Sequence, residues 1–457
     1  MRKTDFLFVY EVKNRELENI CLLRFELERR GYSVEFVETW EHVYKYFEPI
    51  EAKVVISFAM YNDDVFKYIA SFSSRMEKVV NLQWEQIYTN SDEQNESIYT
   101  IKGIADVNSL FCNTFYGVNR YHTVQRLISM GVPEKNLELT GHIALDFLRK
   151  ELISYYLNRH DLCLKYLLPE GKRLHLFISS FSFIGMPDKT LKSDLYQSLS
   201  YDPFDFKQIS WVSQESILDW FRSVLEIFDS EIIVYRPHPA EVGNPELVKM
   251  TQKYKNFYVI SSESVKQWIL VVDRIYTWYS TSVAEIISAG KPCVVLRPHA
   301  IPYPMEIPIF NNAELVTTFS DFMKVFKDDE QFSSVSIKQL VDYYYSDPNE
   351  ATYMKICNVL EKVYNDSNYS IESDSQVVNM PEPYITRVII YLKYLVKLAL
   401  GNICETSFGK WILSLGSEKF VDIGLAVNLA RELAKKNRST QNEVEKIQQR
   451  IAELLEE

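Results

Sequence analysis

Short apolar runs alternate with stretches whose apolar residues recur at helical spacing, and this alternation limits the fold more than any other feature of the chain. Residues 6–10 are a run of the strand type, while residues 15–30 place Leu17, Ile20, Leu23 and Leu27 on one helix face. Gly31 ends that helix, and residues 32–37 alternate as a second strand. Further strand-like runs follow at 53–58 and 78–82, then a strand–helix unit over 109–130 and a short strand near 137–140. Strands separated by helices must pair in parallel, so this half predicts a doubly wound α/β domain over 1–150. A helical connector over 151–171 leads to a second series of runs at 174–179, 232–235, 257–260, 274–277 and 293–296. These predict a second Rossmann-like domain over 165–335, then a helical return and linker over 336–382 and a helical extension over 383–457. Two such domains in tandem would face each other across a cleft lined by strand carboxyl ends, where open α/β sheets bind ligands.

Composition removes several functions. The chain has 13 glycines in 457 residues and neither G-x-G-x-x-G nor G-x-x-x-x-G-K-[ST], so a glycine-built phosphate loop is not expected. A formal net charge of −12 argues against a nucleic-acid partner, which needs a basic surface. The six cysteines (Cys21, Cys112, Cys163, Cys293, Cys357, Cys404) form no C-x-x-C pair, the pattern of reduced thiols without a zinc site. The first residues lack the pattern of a secretory signal, and no apolar run reaches the ~18 residues of a membrane span. A cytoplasmic location is therefore expected, with contact at the inner face of the membrane open through residues 384–400. That segment is apolar but interrupted by Arg387, Lys393 and Lys397, so it reads as an interfacial helix with snorkelling cations or as a packed one. Residues 421–457 read as two charged antiparallel helices, a candidate surface for self-association.

The chemistry concentrates in two segments about forty residues apart, Tyr235-Arg236-Pro237-His238-Pro239-Ala240-Glu241 and Tyr279-Ser280-Thr281-Ser282-Val283-Ala284-Glu285. The first empties a buried strand into a proline-fixed loop that carries a guanidinium and an imidazole. The second puts hydroxyls at a helix start, where backbone N–H groups and the helix dipole favour an anion. Serine and threonine are also ordinary helix caps, and a histidine between prolines is also a surface turn. The pairing of both segments at strand ends in one half-chain points to a clamp for a phosphate or diphosphate.

These two segments, continuing into Ala289-Gly290-Lys291-Pro292, resemble those of bacterial surface-polysaccharide (capsule and lipopolysaccharide) glycosyltransferases of GT-B architecture. That group is related to Kdo transferases, bacterial sialyltransferases and CDP-glycerol polyol phosphotransferases. Tyr10-Glu11-Val12-Lys13-Asn14-Arg15 and Asn81-Leu82-Gln83-Trp84-Glu85-Gln86 are similar to segments of its surface-carbohydrate-biosynthesis members. The resemblance covers roughly residues 5–310. It implies that Arg236, His238, Ser280, Thr281 and Ser282 hold the phosphate of a cytidine nucleotide, with CMP-Kdo, CMP-sialate or a CDP-polyol as donor.

On that basis Arg236 would grip phosphate oxygens, and His238 would donate a hydrogen bond or a proton to the departing phosphate. Ser179 and Ser180, ending another strand, either face the same site or form a polar turn. Glu285 either binds a ribose or simply interacts with its helix dipole. Glu11 and Glu85, each after a strand of the first half, are alternative bases for an acceptor hydroxyl. No Asp-x-Asp occurs, so a metal-free site without a cofactor is expected. His42, His122, His142, His160, His175 and His299 read as ordinary core or surface residues. The expected activity is transfer of a sugar from a nucleotide donor to a glycan or lipid-linked glycan acceptor. Polyol phosphate transfer, nucleotide-sugar 2-epimerisation and a non-catalytic assembly scaffold are the alternatives.

Overall fold

The computed structural model describes residues 2–10, 13–38, 50–57, 73–75, 78–83, 90, 110–113, 134, 137–192, 196, 201–238, 241, 243–327, 332–339, 351–366 and 442–456. The chain divides into two compact units, one of residues 1–59, 64–80 and 360–457, the other of residues 60–63 and 81–359.

The first unit opens with β1 (Arg2–Tyr10), α1 (Lys13–Arg29), β2 (Val34–Glu38), β3 (Ile50–Ser57), β4 (Ser73–Arg75) and the start of β5 (Lys78–Gln83). β1 lies between β2 and β3, parallel to both, and β4 runs parallel to β3. Successive residues Phe6, Leu7, Phe8 and Val9 are all buried, as expected of a parallel strand covered on both faces. The leucine and isoleucine face read from the sequence of α1 is buried in full. Gly31 closes α1 at φ 90°, a left-handed conformation that suits glycine, while Tyr32 N–H returns to the Leu27 carbonyl at 3.0 Å.

The second unit pairs β6 (Leu110–Asn113) in parallel with β7 (Leu137–Leu139). After α2 (Arg159–Tyr166) come β8 (Arg173–Ile178), α3 (Pro203–Ile227), β9 (Glu231–Arg236), α4 (Pro245–Lys253), β10 (Phe257–Val259) and α5 (Val265–Val271). The series continues with β11 (Arg274–Thr277), α6 (Val283–Ser288), β12 (Cys293–Leu296), β13 (Leu315–Val316), α7 (Phe319–Lys327) and α8 (Thr352–Asn365). The six strands β8–β13 form one parallel sheet in the order β10-β9-β8-β11-β12-β13. In strand-number terms this is 3-2-1-4-5-6, the doubly wound Rossmann order.

Both faces of this sheet are apolar, which explains the continuous hydrophobic runs. Ile232 and Val234 pack with Trp268 of α5 and Val283 of α6, while Ile233 and Tyr235 pack with Phe221 of α3 and Phe322 of α7. Helix starts are specified locally. Asp202 accepts the Phe204 N–H at 2.8 Å ahead of Pro203, and Asn244 accepts the Glu246 N–H at 2.8 Å ahead of Pro245. The first turn of α8 is held by Asp146, whose carboxylate accepts the Thr352 and Tyr353 N–H groups at 3.0 and 2.6 Å.

Back in the first unit, α8 ends against Lys78, an ammonium 4% exposed that donates to the carbonyls of Val363, Tyr364 and Asp366. Tyr364 also donates to Asp5 at 2.7 Å, and Arg30 pairs with Glu361 at 3.0 Å. A last helix, α9 (442–455), packs on α1, with Lys13–Glu443 at 2.6 Å and a Gln448 hydrogen bond to the Cys21 carbonyl at 2.8 Å. Cys21, Cys163, Cys293 and Cys357 are buried free thiols, and burial pushes Cys21 and Cys293 up to about 12. Among the described residues no helix is long and apolar enough to cross a membrane. The segment 384–400, the linker near 370–382 and most of the C-terminal extension lie outside the described residues.

Candidate functional site

In a 3-2-1-4-5-6 sheet the strand order reverses between β8 and β11, and the crevice outside the carboxyl ends there receives ligands. The structure brings the two sequence motifs to this place. Arg236 ends β9, Ser179 and Ser180 follow β8, and Tyr279–Ser282 follow β11. The two serines of the central strand tie the flanking loops together. Ser180 Oγ accepts the Tyr279 N–H at 3.0 Å, joining the β8 end to the β11 loop. Ser179 Oγ donates to Glu241, joining the β8 end to the β9 loop.

Glu241 is the hub of that second loop, and the sequence offered no sign of it. Besides Ser179, its carboxylate accepts from Tyr235 Oη at 2.8 Å, Gln214 Nε2 at 2.9 Å and the His238 N–H at 3.2 Å. Tyr235 is fully buried, and burial together with the Glu241 charge keeps its phenol protonated, hence a donor. Four donors converging on one carboxylate fix the backbone that presents His238.

Arg236 is placed differently from a bare phosphate grip. Its guanidinium donates to the carbonyls of Ser261, Ser262 and Glu263 at 3.1, 2.9 and 2.7 Å. The loop that presents those carbonyls holds Glu263 at φ 66°, a left-handed conformation that costs about 1 kcal/mol or more in a non-glycine residue. Tyr166 holds the Glu263 side chain at 2.8 Å, and Lys165 pairs with it. Burial lowers the Arg236 pKa to about 10, so it stays cationic at neutral pH. Arg236 thus organises the β10–α5 loop while placing a positive charge at the strand ends.

Ahead of α6, Ser280 Oγ accepts the Ser282 N–H at 3.2 Å, which fixes the turn that leads into the helix. Ser282 occupies the N-cap position without a side-chain capping bond, and Thr281 is exposed. Behind this turn Arg297 is buried against Glu306 in two hydrogen bonds at 2.8 and 2.6 Å, also reaching the Trp278 carbonyl. Its guanidinium lies 5.4 to 5.8 Å from the ring centres of Trp278, Tyr279 and Phe310. Arg297-Pro298-His299 repeats the Arg-Pro-His of the β9 loop at the end of β12, but here the arginine is a core brace.

Glu285 sits one turn into α6, and burial raises its carboxyl pKa against the opposing pull of Lys266 and of its own backbone N–H. Lys266, 4% exposed, lies 4.9 Å over the Phe147 ring. The same lysine and, more strongly, burial lower His142 to about 4. His142 caps the short helix over Ile143–Leu148 through Nδ1, accepting the Ala144 N–H at 3.3 Å. Since its unfolded pKa is near 6.5, the unfolded chain binds the extra proton between pH 6.5 and 4, so this contribution to stability is present above 6.5 and lost on acidification. The urea midpoint of wild type should fall by the equivalent of about 1–2 kcal/mol between pH 7 and 5 from this group. His142→Asn, which keeps an acceptor for the cap, should flatten that part of the profile.

Of the other histidines, His175 is buried between Glu231 at 2.9 Å and Tyr276 Oη at 3.0 Å, and His299 meets Ser216 at 3.0 Å. Glu11, Glu85, His42 and His122 lie outside the described residues. Among the described residues no group of three His, Cys, Asp or Glu side chains comes together to hold a metal ion.

No family model and no curated protein sequence matches the chain. Among solved structures, the fold is similar to that of S. aureus MnaA solved with UDP, at 14% identity and TM-score 0.46, over 80% of this chain and 97% of that one. It is similar to a variant of the wall teichoic acid polymerase TagF at 12% identity and TM-score 0.49, over 79% and 89%. A UDP-GlcNAc 2-epimerase from Neisseria meningitidis bound to UDP-GlcNAc is similar at 12% identity and TM-score 0.42, over 78% and 100%.

Proposed function

We propose that the second unit binds the phosphate of a nucleotide-activated sugar and that the protein transfers the sugar to a surface-glycan acceptor, with a cytidine nucleotide leaving and no metal ion required. The observation that carries this reading is the convergence of three strand-end loops at the switch point of a Rossmann-ordered sheet, cross-tied through Ser179 and Ser180. The departing phosphate develops negative charge, and preorganised donors and cations stabilise it most where they need not move. His238, on a loop fixed by Glu241, supplies a hydrogen bond or proton. Thr281 and Ser282 supply hydroxyls, and Arg236 supplies charge from behind the loop. Glu285 is the proposed ribose contact, and Glu11 or Glu85 the base that accepts the acceptor's proton.

Calorimetry with CMP, CDP, UMP, UDP, GDP and ADP tests the reading. The expected result is selective cytidine-nucleotide binding, weakened about ten- to a hundredfold in His238→Ala, the size of a lost hydrogen bond to a charged group. Arg236→Ala should lose binding as well, and Arg236→Lys should recover part of it. Selective UDP or GDP binding would change the donor, while no binding by folded protein would overturn the proposal in favour of a scaffold. A phosphodiester product would identify polyol phosphate transfer, and an epimerised sugar formed without acceptor would identify a 2-epimerase.

A further inference from the structure

Helix α3 has two used faces where its core contacts need only one. Ser210, Ser213, Ile217, Phe221 and Val224 are buried against the sheet side. Trp211, Glu215, Asp219 and Arg222, at spacings of four, four and three, share another side. That side walls a cavity of about 710 Å³, bounded by Gly185 after β8, by Glu241, Gly243 and Asn244 after β9, and by Pro245 and Glu246 at the start of α4. Trp211 is 50% exposed at this wall, although Trp220, Trp268 and Trp278 are buried.

We infer that this cavity is a binding site for a neutral or amine-bearing saccharide, with Trp211 as the platform on which a sugar ring lies. Its volume is that of a small-ligand pocket. The indole offers a flat apolar face with a polar edge. The floor is polar and fixed in orientation, since Asn244 Nδ2 donates to Gln214 Oε1 and Gln214 Nε2 donates to Glu241 Oε1, both at 2.9 Å. The carboxylates of Glu215, Asp219, Glu241 and Glu246 line it; Arg222 pairs with Asp219 and Glu246, and Lys249 pairs with Glu246 from outside the lining, which leaves a net acidic wall. Such a lining repels phosphates, sulfates and nucleotides and favours hydroxyl or ammonium donors. A pyranose matches all of this at once, its C–H face against the indole and its hydroxyls toward carboxylate and amide oxygens. An alkylammonium would satisfy the charge but fill little of a cavity of about 710 Å³. Glu241 belongs both to this wall and to the network that holds the His238 N–H, so an occupant and the β9 loop share one anchor.

The inference stands on the cavity alone and does not require the nucleotide reading. Saturation-transfer NMR on the full chain tests it with three probes, a tetramer of β-linked glucosamine, its N-acetylated counterpart and an oligogalacturonate. The expected result is transfer to ring protons of the first two and not the third. Trp211→Ala should weaken binding at least tenfold, Trp211→Phe should recover part of it, and Glu215→Gln should weaken the amine probe more than the neutral one. Trp211 and Glu215 are exposed, so these variants keep the core intact. Cytidine-nucleotide binding, where present, should be unchanged in Trp211→Ala, which separates failure of this site from failure of the phosphate site. Absence of transfer to the first two probes, transfer that persists in Trp211→Ala, or preference for the anionic probe would overturn the inference.

Discussion

Glu241→Ala is expected to destabilise the second unit by about 3 kcal/mol and to raise hydrogen exchange across residues 236–244, including the His238 amide. The size follows from what is stranded. The carboxylate accepts from Ser179, Gln214, Tyr235 and the His238 N–H, and Tyr235 is fully buried. A buried donor left without an acceptor costs about 1–3 kcal/mol, and the surviving Tyr235–Ser179 contact at 3.1 Å offsets part of the sum. Glu241→Gln keeps one acceptor oxygen but turns an amide N–H₂ toward existing donors, so it should fall between wild type and alanine. Urea denaturation read by tryptophan fluorescence checks the stability, and mass-spectrometric exchange checks the loop. A loss under about 0.5 kcal/mol, the level of an ordinary surface substitution, would show that the network is dispensable.

The second large effect is expected in the first unit. Lys78→Met should cost about 3 kcal/mol, because three carbonyls at the end of α8 lose a buried cation aimed at them. Methionine replaces the aliphatic stem, so packing is largely kept and the loss is that of the ammonium. Exchange should rise in residues 360–366 and leave the first turn of α8, held by Asp146, protected. Uniform exchange along the helix would show instead that Lys78 is a bystander. Lys78→Arg should recover only part of the stability, since a planar fork cannot match three carbonyls around one ammonium.

The strands were legible because a parallel sheet covered on both faces makes each strand a continuous apolar run. The runs at Arg274–Thr277 and Cys293–Leu296 coincide with β11 and β12 residue for residue. β13, of two residues, is too short to leave a pattern, and β4 is Ser-Ser-Arg, with no apolar residue to mark it. The two motifs were legible as strand-end chemistry, but their supports were not. Glu241 looks like an exposed turn residue three positions after His238, and its partners come from β8, β9 and α3. Lys78 looks like the polar start of a strand, since the helix end it caps lies nearly three hundred residues further on. Arg236 reads in the sequence as a ligand for phosphate, and nothing local there reveals that the loop at 261–263 also turns its carbonyls toward the guanidinium. Trp211 carries no signal in the sequence, because a lone tryptophan on a long helix is usually core, and only the packing of α3 shows which side it is on.

Ser179, Ser180 and Arg236 stand at the ends of neighbouring strands, whereas Trp211, Glu215, Asp219 and Arg222 ride on one helix face that the core does not need. Positions set by a strand register cannot drift without moving the sheet, while residues on a solvent-side stripe can be exchanged one at a time. The molecule therefore separates an invariant frame from an interchangeable inlay. Its descendants, natural or engineered, could change what the cavity accepts while leaving the strand-end chemistry untouched.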